Sequence, residues 1–164
     1  MTALPKSKHL FFLAALVCVA LMGSAFFLQY IEMLEPCPLC ISQRIVIFIL
    51  FIVAVLAVIH SPGCLGYRVY GGVAALFASM GVALASRQLW IQSLPPNEVP
   101  ACMAGLEYVF DVLPLSELVK IMLTGTGDCA QVQWVFIGLT IPGWTLLIFI
   151  GFTIYGLFEV FRSK

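Results

Sequence analysis

The chain has 164 residues, of which 62% are hydrophobic and only 10% charged, with a formal net charge of zero and a mean hydropathy of +1.09. A soluble domain of this length needs far more charge on its surface, so the apolar excess must face lipid. A zero balance offers nothing to a nucleic-acid partner, yet the charges are spread very unevenly, and that unevenness sets the topology.

Met1 to His9 is a short basic lead, too small for a domain. From Leu10 to Ile31 no residue is charged, a length that crosses about 30 Å of hydrocarbon at about 1.5 Å per residue. The run outlasts a signal-peptide core and is read as a retained helix, although Gly23-Ser24-Ala25 offers small residues. Cys18 near its middle acts as a small apolar residue, and Tyr30 suits the interface belt. The second apolar run, Ile45 to Ile59, is extended at its start by Cys40 to Arg44. His60 to Gly66 carries the Pro-Gly punctuation of a tight turn, with Cys64 left as a thiol; His9 and His60 are read as solvated, and no metal-ligand spacing surrounds either. The third run, Val69 to Ser86, bears Gly71, Gly72, Ala74, Ala75, Ala78 and Gly81, which let neighbouring backbones approach and also leave room for a flat ligand. The fourth, Gly143 to Phe158, opens with Thr140 as N-cap and Pro142 near the first turn.

The expectation is one all-α, four-helix transmembrane domain over 1–164, with spans at about 10–31, 42–60, 68–87 and 142–160 and outer loops at about 32–41 and 88–141. Four spans put both termini on one side, together with Lys6, Lys8, Arg68, Arg162 and Lys164. Positive charge marks that side as cytoplasmic. Glu32, Glu35, Glu98, Glu107, Asp111, Glu117 and Asp128 then lie outside, and Glu159 lies near the inner end. Within the long outer loop, Leu113 to Leu123 reads as a short helix with Leu115, Leu118, Val119 and Met122 on one face, Ser116 as its cap and Glu117 in its first turn. Such a helix is marginal in water and is expected on the membrane surface, apolar face down. Gly125-Thr126-Gly127 reads as a flexible link that lets Cys129 travel.

Cys37, Cys40, Cys102 and Cys129 share the outer side, an even set in an oxidising compartment. Three pairings are open, and adjacency makes Cys37 with Cys40, and Cys102 with Cys129, the default. A bridge across two residues constrains little unfolded chain. Cys37-Pro38-Leu39-Cys40-Ile41-Ser42-Gln43-Arg44 enters a helix, whose N-terminal N–H groups favour the thiolate, and Arg44 lies on the Cys40 face about 6 Å along the axis. A cation and a helix end beside a weakly stabilising bond fit exchange chemistry better than a staple. The Cys102 and Cys129 pair leaves a staple role open. Zinc is disfavoured because this pair lacks C-x-x-C spacing.

These features, with Gly127-Asp128-Cys129, Trp134, Gly138-Leu139, Pro142 and Trp144, give the chain a resemblance to the DsbB family over nearly its whole length. The resemblance implies a bacterial inner-membrane dithiol:quinone oxidoreductase with its redox cysteines on the periplasmic side. It implies that Cys102 is attacked by a reduced thioredoxin-like oxidase of the DsbA type, with Cys129 released to reach the membrane pair. Cys37 and Cys40 would pass two electrons to ubiquinone or menaquinone from the membrane pool, Cys40 in charge-transfer contact with the ring and Arg44 polarising a carbonyl. Where some members have histidine, Gln88 stands beside Arg87; Gln88 can donate to a quinone oxygen but cannot take a proton, and Arg87 serves as a ligand or an interfacial anchor. Two other readings stay open: a four-span scaffold held by inert disulfides, and an oxidoreductase that reduces a small quinone for its own sake.

Overall fold

The computed structural model describes residues 7–102 and 114–162. Lys6, Lys164, Glu107, Asp111 and Leu113 lie outside the described residues. Four helices are long and apolar enough to cross a membrane: α1 (Ser7–Tyr30), α2 (Pro38–His60), α3 (Cys64–Gln92) and α5 (Ile141–Phe161). Between α3 and α5 come α4 (Leu115–Thr124), a 3₁₀ turn (Gly127–Ala130) and a two-stranded hairpin of β1 (Val135–Phe136) and β2 (Leu139–Thr140).

Small residues decide how the bundle closes. A Cβ placed on Gly156 would lie 2.7 Å from the Ala75 nitrogen and 2.7 Å from the Gly71 oxygen, so α3 and α5 meet at backbone distance. Further along this seam, a Cβ on Gly81 would enter the ring of Phe149, which is fully buried. The glycine and alanine stripe of α3 is therefore a packing surface. On the other flank α1 lies on α2 through Phe11, Ala15, Ala54 and Ala57, with Phe11 stacked on Tyr67 of α3 at 5.7 Å.

Ser7, Cys64, Tyr67, Glu159 and Arg162 line one small pocket, which sets the start of α1, the α2–α3 turn and the end of α5 at the same end of the bundle. Glu159 is buried there and pairs with Arg162 at 3.2 Å, as a carboxylate at this depth must. Cys37, Cys40, Cys102 and Cys129 stand at the opposite end.

Several local expectations change. The inner turn contracts to Ser61-Pro62-Gly63, with Ser61 at φ 40°, and α3 begins at Cys64 and runs to Gln92; its polar ends continue the helix past the apolar run. Helix α4 is capped by Pro114 rather than Ser116, while Glu117 does occupy its first turn and pairs with Lys120 at 3.6 Å. Leu118 and Met122 are half-buried, and the Ser42 hydroxyl donates to the Met122 oxygen at 2.6 Å. Leu115, Val119 and Leu123 face outward, the side an interfacial helix turns to lipid.

The link at 125–127 is packed. Gly125 has φ +78°, and a Cβ there would lie 2.6 Å from Leu39 Cδ1; Thr126 and Gly127 are buried. Its glycines permit close approach and a left-handed turn. The hairpin was not expected: Ile137 and Gly138 turn at φ 51° and 77°, the geometry of a primed turn.

Candidate active site

All six cysteines are thiols in the structure. Cys37 is the N-cap of α2, and its sulfur accepts from the Cys40 N–H at 3.4 Å. Pro38 follows and has no N–H to satisfy. The Leu39 N–H, the next free donor of that helix end, points to the Cys129 sulfur. One helix terminus thus serves sulfurs from two distant parts of the chain. The Cys37 and Cys40 sulfurs lie 2.9 Å apart.

Cys129 is almost fully buried, yet its thiol is held down to about 6 by a hydrogen bond from Cys37, with Leu39, Thr126 and the Thr126 hydroxyl adding donors against the cost of burial. The same contact pushes the Cys37 thiol up. The Cys129 sulfur thus lies within reach of Cys37, a member of the other pair.

Cys102 is fully exposed and sits over the 3₁₀ turn. Gly127 N–H donates to the Ala101 oxygen at 3.2 Å, and a Cβ on Gly127 would collide with the Pro100 oxygen and come 3.0 Å from the Cys102 sulfur. Asp128 pushes the Cys102 thiol up by charge repulsion. The two loop cysteines are therefore biased in opposite directions by their surroundings.

Two cavities flank Cys40. The larger, about 360 Å³, is bounded by α1, α2, α5 and the hairpin, with Leu28, Ile47, Ile148, Trp134, Phe136 and Trp144 in its wall and Cys40 and Arg44 at its polar side. The smaller, about 30 Å³, touches Cys37, Cys40 and Gln88 and is lined by polar groups such as Glu35, Gln92 and Asp128 together with Val132, Trp134 and Ile141; it is large enough for water.

Arg44 reaches from α2 to the end of α1. It donates to Gln29 Oε1 and, at 3.1 Å, to the Ala25 oxygen, a position where a cation is favoured by the α1 dipole. Gln88 does not line the larger cavity. It is buried behind Cys40, 3.2 Å from that sulfur and 3.4 Å from Cys37. Arg87 points away: its Nε donates to the Thr124 oxygen at 3.2 Å and its guanidinium lies 4.3 Å from the Trp90 ring, which ties α4 to α3. Gln43 and Thr145 are site residues that the sequence reading passed over. The available signal was a glutamine one residue before Arg44 at the mouth of a membrane helix. Among the described residues, no group of three or more His, Cys, Asp or Glu is arranged for a metal ion.

A family model described as disulfide bond formation protein DsbB matches residues 7–158. The chain is 51% identical over 153 residues to disulfide bond formation protein B of Hahella chejuensis, covering 93% of each. It is 44% identical over 161 residues to the protein of the same name from Methylococcus capsulatus, covering 98% of each. With disulfide bond formation protein B 1 of Pseudomonas aeruginosa the identity is 40% over 159 residues, 97% of this chain and 98% of the other.

Proposed function

The chain belongs to the DsbB family of disulfide bond formation proteins, and from that premise we propose that it oxidises a periplasmic thioredoxin-like oxidase of the DsbA type and passes the electrons to a membrane quinone. Its role in disulfide formation and its four membrane helices follow from the family and the fold. The substrate, the acceptor and the placement in the bacterial inner membrane with cytoplasmic termini are our reading.

The sequence of exchanges rests on the opposed biases of the cysteines. In thiol–disulfide exchange the sulfur with the lower pKa leaves faster. When a partner thiolate attacks the Cys102–Cys129 disulfide at the exposed Cys102 sulfur, Cys129 leaves as a thiolate toward the donors of Leu39 and Thr126. The second partner thiol then attacks its own sulfur in the mixed disulfide, giving oxidised partner and a free Cys102 thiol. Cys129, already against Cys37, attacks that sulfur in the Cys37–Cys40 disulfide and releases Cys40 as a thiolate. Cys102 next attacks Cys129, which restores the loop disulfide and frees Cys37. Two electrons and two protons have then moved from the partner dithiol to Cys37 and Cys40.

A bound quinone would accept those two electrons and two protons. The residues present fit such a group. The larger cavity has the volume of a small-molecule site, commonly about 300–1,000 Å³, its aromatic and aliphatic wall suits a flat apolar ring, and Arg44 supplies a fixed donor where an oxygen gains charge. Cys40 lines that cavity, and Phe136 of the hairpin forms part of its wall.

The observation that carries the proposal is the position of Cys40, with Cys37 and Cys129 on one side and an apolar cavity holding Arg44 on the other. The test is quinone reduction by purified protein supplied with a reduced dithiol partner. Turnover is expected for the intact chain and none for Cys40→Ser. Failure of the intact chain to reduce ubiquinone or menaquinone would sink the proposal.

A further inference from the structure

Gln43 and Gln88 are two neutral amides buried at the centre of an apolar bundle, 4% and 3% exposed, where a polar group persists only with its partners satisfied. Their hydrogen bonds run in one direction. The Thr145 hydroxyl of α5 donates to Gln43 Oε1 at 2.6 Å. Gln43 Nε2 of α2 donates to Gln88 Oε1 at 2.7 Å. Gln88 Nε2 of α3 then donates to the Cys40 sulfur at 3.2 Å and to the Cys37 sulfur at 3.4 Å. Both amide oxygens are occupied by donors from behind, so the N–H of Gln88 is the end left to face the sulfurs. Three helices contribute one link each, and the relay ends on the redox pair.

A thiolate is a much better acceptor than a disulfide sulfur, because hydrogen bonds to a charged partner are roughly twice as strong as neutral ones. A donor fixed at this point stabilises the reduced pair more than the oxidised pair, which raises the reduction potential. We propose that Gln88 is a positioning residue that tunes the Cys37–Cys40 couple through its amide N–H, held in donor orientation by Gln43 and Thr145, rather than a contact to the electron acceptor. The proposal rests on the reading of Cys37 and Cys40 as a redox pair. It also accounts for a site that works without an ionisable group at position 88: the side chain stabilises charge on sulfur and takes no proton.

The experiment is the reduction potential of the Cys37–Cys40 couple in quinone-depleted protein, equilibrated against a thiol redox buffer, with Cys102 and Cys129 replaced by Ser. Gln88→Met keeps the volume and removes the donor; the equilibrium is expected to shift about tenfold toward the disulfide, or about 30 mV more negative. Alkylation of the reduced pair at fixed pH should slow in parallel. A side chain that merely packs α3 would lower the thermal midpoint and leave the potential in place, and a side chain that contacts the acceptor would raise the quinone KM with the potential unchanged. Either result overturns the proposal. If Gln88→Met does not fold, Thr145→Val removes one hydroxyl from the far end of the relay and should move the potential in the same direction by a smaller amount; no shift there also overturns it. Quinone turnover of the unmodified chain tests the underlying oxidoreductase reading separately.

Discussion

Gly127→Ala is predicted to separate the two halves of the site. The added Cβ would overlap the Pro100 oxygen and lie 3.0 Å from the Cys102 sulfur and 3.1 Å from the Cys102 nitrogen, whereas a carbon tolerates an oxygen at about 3.3–3.6 Å. Relief requires residues 100–102 to move outward by roughly 1 Å, and it breaks the Gly127 N–H to Ala101 oxygen bond. A displacement of that size between reacting groups costs on the order of 10²-fold in rate. The expected result is a fall of roughly 10- to 100-fold in kcat/KM for the dithiol partner. The quinone KM should stay at its unmodified value, because among the described residues none between 100 and 130 lines the larger cavity. Steady-state kinetics with each substrate varied in turn provides the assay. Partner turnover within twofold of the unmodified chain would refute the view that this backbone contact positions Cys102.

Three further outcomes are expected. Arg44→Met removes the donors at the rim of the larger cavity and should raise the quinone KM by about tenfold or more, the scale of one charged hydrogen bond; an unchanged KM would assign Arg44 to holding the end of α1. Because the thiol of Cys129 is held at about 6, its thiolate exists above that pH and is protonated below it. In protein with Cys37, Cys40 and Cys129 all reduced, the rate of Cys129 alkylation by a small reagent should therefore be flat above about pH 7 and fall as pH drops through 6, measured by rapid-quench trapping; a midpoint near the ordinary thiol value, about 8.5, contradicts the Cys37 hydrogen bond as the cause. Asp128→Asn removes the charge that pushes Cys102 up, so alkylation of Cys102 in the reduced protein at neutral pH should quicken, and no change would place the cause elsewhere.

The four spans and the sulfur–arginine motif were legible because both are local: hydropathy marks the spans, and the i to i+4 spacing links Cys40 to Arg44. What escaped depends on distant packing. Glycines at 125 and 127 read as a hinge, yet there a missing Cβ lets backbone pass close to Leu39 and to Pro100. The hairpin was hidden because Ile137, a β-branched residue, occupies a left-handed position that sequence rules reserve for Gly or Asn. The placement of Gln88 turned on which face of α3 meets Cys40. An aligned position fixes neither that face nor the amide's orientation; Gln43 and Thr145 do.

The two flanks of α5 are unequal. Glycine and alanine zip α3 to α5 with no room for an acyl chain, whereas α1 and α5 stand apart at the outer end around the larger cavity. Under the proposed function, a flat head group would slip in sideways from the bilayer and leave its isoprenoid tail among the lipids. Tail length should then matter little to affinity, and bulk added to the ring should matter a great deal.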